Sequence, residues 1–444
     1  MEVHTYLANL GPGQGQPGLA RINFLLEYLG HPEKGLNIVH VVGTNGKGST
    51  SQFIASILQA AGQKVGLYTS PHLVRFNERM RINGVPIGDG VLEELFQKLH
   101  PCLDKLAVSE LGRPGMFEVA TAIALEYFNR EGMDYAILEA GLGGRYDATH
   151  VGQPVVTVFT HIDLDHTEIL GETVELIAAE KADVIPWGGV VIMAPQASGA
   201  KAVISQVAQA RQARTVDVEA RYQSAAIKPS PLGTSFTVSS PGQILTLRIG
   251  LLGLFQITNA LTALAAVDEL AEQGLHISGE DIARGLAVAR WPGRLEVVDT
   301  EPIVVLDGAH NLDGFRQLAK NLPVYLSWEK LHLIMAIVGD KPLDSMLEVL
   351  LPLASTVTFT APQKSRTRPV DPSHLLQLAA GFKPDAEIAA SFAEAYSRVQ
   401  QQAQPQDVVC ICGSLYLIGE ARHQLVDCRD SAGISPLGAE TPKA

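Results

Sequence analysis

The chain has 444 residues, so two or three compact units are expected, given about 100 to 200 residues per domain. Apolar residues make up 46% of the sequence and charged residues 18%, a balance that excludes an intrinsically disordered chain. The formal net charge of -13 argues against a general nucleic-acid binder. If the substrates are anionic, local lysines, arginines or metal ions must offset this charge.

The cysteines and the apolar segments point to no export signal, disulfide framework or membrane span. Cys102, Cys410, Cys412 and Cys428 match neither a disulfide pattern nor a zinc site, and the middle two lie in an apolar run that predicts a strand. The N-terminus lacks a basic region followed by an apolar stretch, so we expect a cytoplasmic protein. Polar residues interrupt the apolar stretch 249–267, which favours a buried helix and no membrane partner.

Predicted strands alternate with predicted helices in the first half of the chain. Residues 37–42, NIVHVV, are typical of a short buried strand, and STSQFIASILQAAG has the length and the terminal Gly62 of a helix. Four further strands are predicted within QKVGLYTSP, MDYAILEAGLGG, QPVVTVFTHIDLDH and GGVVIMAP. This order predicts a mostly parallel sheet with helices on both faces, followed at residues 214–250 by a small antiparallel insertion.

A second series of alternating elements follows residues 289–302, where two prolines and a glycine interrupt the chain. Strands are predicted within PIVVLDGA, LHLIMAIVG, STVTFTAP, DAEIAAS and DVVCICGS. We therefore predict an α/β protein with a P-loop-type N-terminal domain, residues 1–297, and a smaller Rossmann-like C-terminal domain, residues 298–425. Residues 426–444 are polar and contain Pro and Gly, so we expect a loose tail.

A glycine-rich loop joins the first strand to the first helix in HVVGTNGKGSTSQF, residues 40–53. It departs from the usual phosphate-loop pattern, because only two residues separate Gly43 from the pair Gly46 and Lys47. A strand, a glycine loop with a lysine and a helix N-terminus still form an anion cradle, since N–H groups and the helix dipole favour negative charge. A glycine-rich turn without a ligand is the alternative, and the context favours phosphate binding.

Polar residues follow the later strands of the same sheet. Glu139 comes directly after YAIL, and HIDLDH supplies Asp163, Asp165 and His166. Open α/β sheets bind ligands at the carboxyl ends of their strands, so a carboxylate and an imidazole there could hold a divalent cation beside phosphates. The alternative is that these residues are polar because strands end at the surface.

Two further motifs permit both a structural and a functional interpretation. Lys181, in AAEKADVIPW, is on local sequence alone an ordinary solvated helix lysine. The motif DGAHN, Asp307 to Asn311, ends a strand and opens a helix, so its polar side chains either cap that helix or contact a ligand.

Ten segments of the chain, in order, resemble the folylpolyglutamate synthase and dihydrofolate synthase family, a branch of the Mur ligase superfamily of ATP-dependent amide-forming enzymes. They extend from Tyr6 to about Glu420. They are HVVGTNGKGST, YTSPHL, NERMRING, MFEVATAIAL, LEAGLGGRYDAT, DLDHTEILG, EKADVI, WPGRLE, DGAHN and CGSLYLIG. Ten segments at matching spacing are far more specific than one glycine loop.

The resemblance implies a full set of site residues. The residues implied to hold the ATP phosphates are Thr44, Asn45, Gly46, Lys47, Gly48 and Ser49. The other implied ATP contacts are Asn259, Arg294, Asp307 and His310. The implied ligands of two magnesium ions are Ser70, Glu139, His166 and Lys181. The residues implied to bind the pterin-bearing substrate are Phe117, Glu118, Thr121, Arg145 and Asp147, with Ser414 implied to handle ATP or glutamate.

Catalysis is implied for Lys47, His166 and Lys181. Lys181 matches a lysine that is carbamylated in the family, which reverses its ordinary interpretation. Reaction with CO2 makes the amine a carboxylate-like group that could bind a second cation, as a cationic lysine could not.

Three positions depart from the family pattern. His150 replaces the Asn of DATN, His161 stands where Asn is usual, and EKADVIPW lacks the second lysine of EKAGIIKP. The first two lie near the proposed substrate and metal regions, so they bear on fine specificity. None of the three removes a residue that the common chemistry requires.

The resemblance implies an ATP-dependent ligase that joins L-glutamate to a pterin-linked carboxylate through an acyl phosphate. We expect a bifunctional monomer that uses dihydropteroate and folates, with folylpolyglutamate synthesis alone as the alternative. A Mur ligase for peptidoglycan precursors is disfavoured, because only 42 residues precede Gly43. A regulatory module without catalysis is disfavoured because Glu139, His166 and Lys181 are all present.

Overall fold

The computed structural model describes residues 3–11, 13, 18–240, 243–339, 341–365, 367–383 and 385–428. Within it the chain forms two compact units. The first comprises Met1–Ile227, Ser235–Ile249 and Gln256–Ala289, and the second comprises Lys228–Thr234, Gly250–Phe255 and Arg290–Ala444. Of the expected tail at 426–444, residues 429–444 lie outside the described residues, and a short π-helix, His423–Asp427, covers its beginning.

An eight-stranded sheet forms the centre of the first unit, in the order β4-β3-β2-β5-β1-β6-β7-β8. Its strands are β1 Asn37–Val42, β2 Val65–Tyr68, β3 Met80–Ile82, β4 Val85–Pro86, β5 Tyr135–Glu139, β6 Val156–Phe159, β7 Val190–Met193 and β8 Arg214–Asp217. The six strands from β2 to β8 in that order pair in parallel, and β3 and β4 continue the sheet antiparallel. The prediction of a mostly parallel sheet is therefore confirmed.

Helices connect most of the parallel strands, because parallel neighbours require long crossovers, and further helices precede β1 and follow β8. They are α1 Val3–Asn9, α2 Ala20–Tyr28, α3 Lys47–Ala60, α4 Asp89–Ala107, α5 Met116–Arg130, α6 Thr167–Leu170, α7 Val174–Ala182, α8 Ser198–Ala210, α9 Val218–Arg221, α10 Phe255–Glu272 and α11 Gly279–Val288, with 3-10 turns at Pro32–Gly35 and Phe76–Arg79. One apolar cluster joins α2, α4 and α5 through residues such as Leu25, Leu99 and Phe128. A second joins α7 and α8 through Ile177 and Ile204.

The apolar stretch 249–267 contributes most of α10, whose first four turns are almost entirely buried. Its polar residues Gln256, Asn259 and Thr262 are buried too. None of the helices in the described ranges combines the length and the apolar character that a membrane crossing requires. The prediction of a buried helix is confirmed.

The predicted antiparallel insertion at 214–250 is wrong at its beginning. Arg214–Asp217 forms β8, which pairs in parallel with β7 at the edge of the large sheet. A three-stranded sheet in the order β11-β10-β9 follows only from Gln223, with β9 Gln223–Ser230, β10 Gly233–Ser240 and β11 Gln243–Ile249. An edge strand is covered on fewer sides than a central one, so its polar residues looked like those of a separate hairpin.

The second unit contains a six-stranded sheet in the order β12-β13-β17-β14-β15-β16. Its strands are β12 Glu296–Thr300, β13 Ile303–Leu306, β14 Leu331–Met335, β15 Thr356–Phe359, β16 Glu387–Ile388 and β17 Val408–Cys412. Its helices are α12 Leu312–Tyr325, α13 Leu343–Leu350, α14 Pro372–Ala379, α15 Phe392–Gln402 and α16 Leu415–Arg422, with a 3-10 turn at Leu351–Leu353. All pairs are parallel except β12 with β13, as a Rossmann-like sheet requires. Cys410 and Cys412 are free and buried in β17.

The buried carboxylate of Asp407 fixes the segment that precedes β17. Asp407 is 1% exposed and accepts hydrogen bonds from the N–H groups of Lys330, at 3.0 Å, and Gln404, at 2.8 Å. Nε2 of the buried His332 lies 3.3 Å from the same carboxylate. The side chain thus ties the loop before β17 to β14, its neighbour in the sheet.

Replacing Asp407 by Ala should lower the free energy of unfolding of the second unit by about 3 kcal/mol, because buried donors lose their acceptor. Chemical denaturation followed by circular dichroism measures this loss. Glu348→Ala, on the exposed face of α13, is the control and should change stability by less than about 0.5 kcal/mol. Equal losses in the two variants would contradict the role assigned to Asp407.

Candidate active site

The glycine-rich loop follows β1 and opens directly into α3. Gly46 precedes the helix with a φ of 86°, which an L side chain rarely adopts. A Cβ at this position would lie 2.4 Å from Oδ1 of Asn259, so both the conformation and the space require glycine. The first hydrogen bond of the helix runs from the N–H of Thr50 to the carbonyl of Gly46, at 2.9 Å. The N–H groups of Lys47, Gly48 and Ser49 come before it and therefore have no acceptor within the helix. These three donors form the anion-binding end of α3.

The first residues of the loop are held by the segment after β6. The carbonyl oxygen of His161 accepts the N–H groups of Thr44 and Asn45 at 2.8 and 3.1 Å. The hydroxyl of Thr44 donates to the carbonyl of Asp163 at 3.0 Å and accepts from its N–H at 3.1 Å. The N–H groups of Thr44 and Asn45 therefore hold the loop in place, because both already donate to a carbonyl of the protein.

Three further side chains contact the loop or each other beside it. Nζ of Lys47 donates to the carbonyls of Gly43 and Thr44 at 3.1 and 3.0 Å, so the ammonium is held over the loop. The amide of Asn259 donates to Oε1 of Gln256 at 2.8 Å, and Nε2 of Gln256 donates to Oγ of Ser49 at 3.3 Å. Gln256 was missed from the sequence, although its spacing of three residues from Asn259 places both on one face of α10.

Ser70 and Glu139, two of the predicted metal ligands, lie together at the carboxyl ends of neighbouring strands. Ser70 follows β2, Glu139 ends β5, and the N–H of Ser70 donates to Oε2 of Glu139 at 3.0 Å. Glu139 is only 4% exposed. A hydroxyl and a carboxylate are hard oxygen ligands of the kind that magnesium prefers.

His166 lies on the other side of the loop in the strand order, because β5, β1 and β6 are consecutive in the sheet. Its backbone is left-handed, with a φ of 51°, and its side chain is 48% exposed. Nδ1 lies 3.9 Å from Oε1 of Glu168. Glu139 and His166 therefore follow the two strands that flank the phosphate-loop strand.

The burial of Lys181 contradicts its interpretation as an ordinary solvated lysine. It is 4% exposed near the end of α7. Burial, and then the positive charge of Lys47, lower its pKa to about 7, against the carboxylates of Asp147, Asp165 and Glu180, which raise it. The lowered pKa therefore favours the uncharged amine near neutral pH far more than in an exposed lysine. The local sequence could not reveal this burial, because AAEKA fits an exposed helix equally well.

Three of the predicted substrate residues also have internal partners. Oε1 of Glu118 accepts from Nε of Arg21 at 2.9 Å, in a pair that is almost fully buried. The hydroxyl of Thr121 donates to the carbonyl of Phe117 at 2.8 Å and lies 3.1 Å from the hydroxyl of Tyr68. The ring of Phe117 lies 5.7 Å from that of Tyr68. Arg21 and Tyr68 were missed from the sequence, because only tertiary contacts mark them.

The loop after β5 is organised by Asp147, which is 5% exposed. Its carboxylate accepts from the N–H groups of Gly141, Leu142 and Thr149 at 2.8 to 2.9 Å and from the Thr149 hydroxyl at 2.5 Å. Burial raises the pKa of Asp147, and these hydrogen bonds counter the rise. The carboxylate thus fixes the backbone of the loop that leads from Glu139.

The neighbouring residues of this loop face α7 or the loop itself. Arg145 forms ion pairs with Asp183 and, at 3.7 Å, with Glu180. Nδ1 of His150 lies 3.1 Å from the carbonyl of Arg145. The family departure at position 150 therefore lies on this loop and contacts its backbone.

In the second unit, Asp307 follows β13 and is 5% exposed. It accepts from the N–H groups of Leu295 and Ala309, both at 2.8 Å. Burial raises its pKa, and the positive charge of Arg294 counters the rise. Nδ1 of His310 lies 2.8 Å from the carbonyl of Gly308. The structure therefore brings Arg294, Asp307 and His310 into one region.

Two polar residues of this unit cap helices. Oδ1 of Asn311 accepts from the N–H of Gly314 at 2.8 Å at the start of α12. The hydroxyl of Ser414 accepts from the N–H of Tyr416 at 3.2 Å at the start of α16. Of the two interpretations of DGAHN, capping therefore applies to Asn311. Ser414 is fully buried and has the same structural role.

Comparison with known proteins agrees with this architecture. Residues 111–267 match the Mur ligase middle domain, and residues 293–415 match the Mur ligase glutamate ligase domain. These two matches define the class as Mur ligase.

Individual relatives narrow the class. The chain is 36% identical over 417 residues to a dihydrofolate synthase/folylpolyglutamate synthase of Bacillus subtilis, covering 92% of this chain and 95% of that protein. Folylpolyglutamate synthase of Mycobacterium tuberculosis, solved with ADP and AMPPCP, superposes with a TM-score of 0.88 at 27% identity, over 96% of this chain and 97% of that one. The Escherichia coli protein, solved with DHPP and ADP, superposes with a TM-score of 0.84 at 30% identity, over 96% and 97%. The chain belongs to the dihydrofolate synthase/folylpolyglutamate synthase family, and the resemblance seen in the sequence is confirmed.

Replacing Gly46 by Ala should abolish measurable binding of the ATP analogue AMPPCP, because the new methyl group strains the left-handed backbone and meets Asn259. Isothermal titration calorimetry in the presence of magnesium measures the affinity. Gly62→Ala is the matched control: Gly62 follows α3 with a φ of 80° and open space where its Cβ would lie. Both variants should lose about 1 kcal/mol of stability from the backbone. Normal binding by Gly46→Ala would contradict the assignment of the loop.

Proposed function

We propose that the protein is an ATP-dependent ligase that adds L-glutamate both to dihydropteroate and to folates. The observation that carries this proposal is the phosphate loop at the start of α3, whose strand is flanked in the sheet by the strands that end at Glu139 and before His166. The names of the relatives support the substrate class, and the name of the Bacillus subtilis relative includes both activities. Folylpolyglutamate synthesis alone is the alternative within the same chemistry.

The reaction proceeds in two transfers. A carboxylate oxygen of the pterin-linked substrate attacks the γ-phosphorus of ATP, the bond to ADP breaks, and an acyl phosphate forms. The amine of glutamate then attacks the acyl carbon, loses a proton and displaces inorganic phosphate, which leaves an amide. Lys47 and the N–H groups at the start of α3 offset the negative charge of the transferred phosphoryl group.

Ser70, Glu139 and His166 would hold magnesium. The donor set fits, because Ser70 and Glu139 lie in contact at neighbouring strand ends and supply the oxygen ligands that magnesium prefers. When bound, the ion supplies charge neutralisation at the phosphates. A chain with a net charge of -13 requires such local cations to admit a nucleotide.

Lys181 would act as a carbamate. Only an uncharged amine attacks CO2, and the pKa of about 7 leaves much of the Lys181 amine in that form at neutral pH. The modification replaces a cation in a buried site by an anion that can hold a second magnesium ion. The positive charge of Lys47 then stabilises the modified group instead of opposing it.

The remaining predicted residues stay in their proposed roles. Asn259, Arg294, Asp307 and His310 would contact ATP, and Ser414 would contribute to glutamate handling through the helix that it caps. Glu118, Thr121, Arg145 and Asp147 would shape the pterin site, with Phe117 as its aromatic surface. We also propose two domains, and the boundary predicted between residues 297 and 298 lies within β12, whereas the compact units of the structure divide at Ala289 and Arg290. A monomer in the cytoplasm completes the proposal.

Purified protein with ATP, magnesium and L-glutamate should release ADP when either dihydropteroate or a reduced folate monoglutamate is added. A coupled assay for ADP, with omission of glutamate as the control, measures the reaction, and mass spectrometry of the product should show one added glutamate residue. If neither acceptor gives glutamate-dependent ADP release, the ligase assignment fails. Activity with the folate alone would remove only the dihydropteroate step.

Replacing Lys181 by Ala should lower turnover by about 100-fold or more, since a group that stabilises transition-state charge is lost. Acetate, which fits the space left by the side chain and restores a carboxylate, should return most of the activity, whereas equimolar chloride should not. Lys201→Ala, on the exposed side of α8, is the control and should retain activity. Full activity of Lys181→Ala without acetate would falsify the carbamate role.

A further inference from the structure

The first turns of α10 carry two buried amides that meet the phosphate loop. Gln256 is fully buried and Asn259 is 8% exposed. Nε2 of Gln256 donates to Oγ of Ser49 at 3.3 Å, and Oε1 of Gln256 accepts from Nδ2 of Asn259 at 2.8 Å. Both ends of one amide are therefore used, and each end holds a residue of the nucleotide site.

We propose that Gln256 is a positioning residue, which fixes the hydroxyl of Ser49 and the amide of Asn259 before the nucleotide binds. The inference rests on the proposed function, because it takes Ser49 and Asn259 as nucleotide contacts. It goes beyond that function in assigning their arrangement to a residue that is not among the proposed nucleotide and metal contacts.

The directions of the two hydrogen bonds decide what Gln256 does. Because its NH2 group donates to Ser49, the Ser49 hydroxyl keeps its own proton for a phosphate oxygen. Because the carbonyl oxygen of Gln256 accepts from the NH2 group of Asn259, Oδ1 of Asn259 faces Gly46. A Cβ at position 46 would lie 2.4 Å from this oxygen. Without Gln256, the Asn259 amide could rotate by 180° and the Ser49 hydroxyl could turn freely.

The helix that carries Gln256 is itself fixed at its far end. Glu269, near the C-terminus of α10, is fully buried and forms ion pairs with Arg214 and Arg221. Arg214 belongs to the edge strand β8 and Arg221 to α9. Gln256 therefore projects from a helix that is held to the rest of its unit at both ends, as a positioning residue requires.

The chain offers a matched control in Gln52. This residue is also buried, and its Nε2 also donates to a serine hydroxyl, that of Ser56 at 2.9 Å. The pair lies within α3, beyond the first turn that faces the nucleotide. Gln52→Leu and Gln256→Leu each remove a buried hydrogen bond from a glutamine to a serine hydroxyl, and only Gln256→Leu does so at the phosphate loop, where the bond from Asn259 is lost as well.

The test compares wild type, Gln256→Leu, Gln256→Glu and Gln52→Leu in calorimetric binding of AMPPCP with magnesium, together with the KM for ATP, kcat and thermal stability. Gln256→Leu should weaken binding and raise the KM for ATP by roughly tenfold, the factor expected from lost buried hydrogen bonds. Gln256→Glu should weaken binding at least as much, because a carboxylate of the same shape cannot donate to Ser49 and repels phosphate. Gln52→Leu should bind within about twofold of wild type, even where its thermal stability falls.

Two results would overturn the inference. One is a Gln256→Leu or Gln256→Glu protein that remains folded and binds AMPPCP within twofold of wild type. The other is an equal loss of affinity in Gln52→Leu, which would make the effect one of packing in α3. Failure of wild type itself to bind AMPPCP would overturn the proposed function and this inference together, so the two failures are distinguishable.

Discussion

The arrangement of the site depends on one backbone acceptor, the carbonyl oxygen of His161. It accepts hydrogen bonds from the N–H groups of Thr44 and Asn45 and so fixes the loop after β1 to the segment after β6. The position of this loop in turn sets the direction of the N-terminus of α3. The departure from the family's usual Asn at this position leaves the contact unchanged, because the backbone makes it. The same segment leads to His166, so the phosphate loop and a proposed metal ligand share one support.

Charge is the second constraint. The chain has an excess of acidic residues, and yet its proposed phosphate site contains two lysines, and the charge of Lys47 acts on Lys181. Burial and the charge of Lys47 make the cationic form of Lys181 unfavourable, while the anionic Asp147 and Asp165 favour it. A second permanent cation would have to remain desolvated beside the first, whereas a carbamate removes that conflict.

The sequence predicted the alternation of strands and helices, the phosphate loop and its helix, and the resemblance predicted Glu139 and Lys181 as site residues. These features are local, or they repeat a pattern along the chain. The sequence did not predict the roles of Gln256, Arg21 and Tyr68, because their hydrogen-bond partners lie 207, 97 and 53 positions away in sequence. The burial of Lys181 and the edge position of β8 were not predicted for the same reason, because residues that are distant in sequence and close in space determine both.

The ion pair between Arg21 and Glu118 has a consequence for how this family varies. Both side chains are nearly enclosed, so loss of Arg21 leaves the carboxylate of Glu118 as a desolvated charge, which costs more than the pair contributes. Glu118 also accepts from the N–H of Gly115 at 2.6 Å and thereby caps α5. Changes at positions 21 and 118 are therefore tolerated chiefly as a pair, and the two positions should covary among relatives even though nearly a hundred residues separate them.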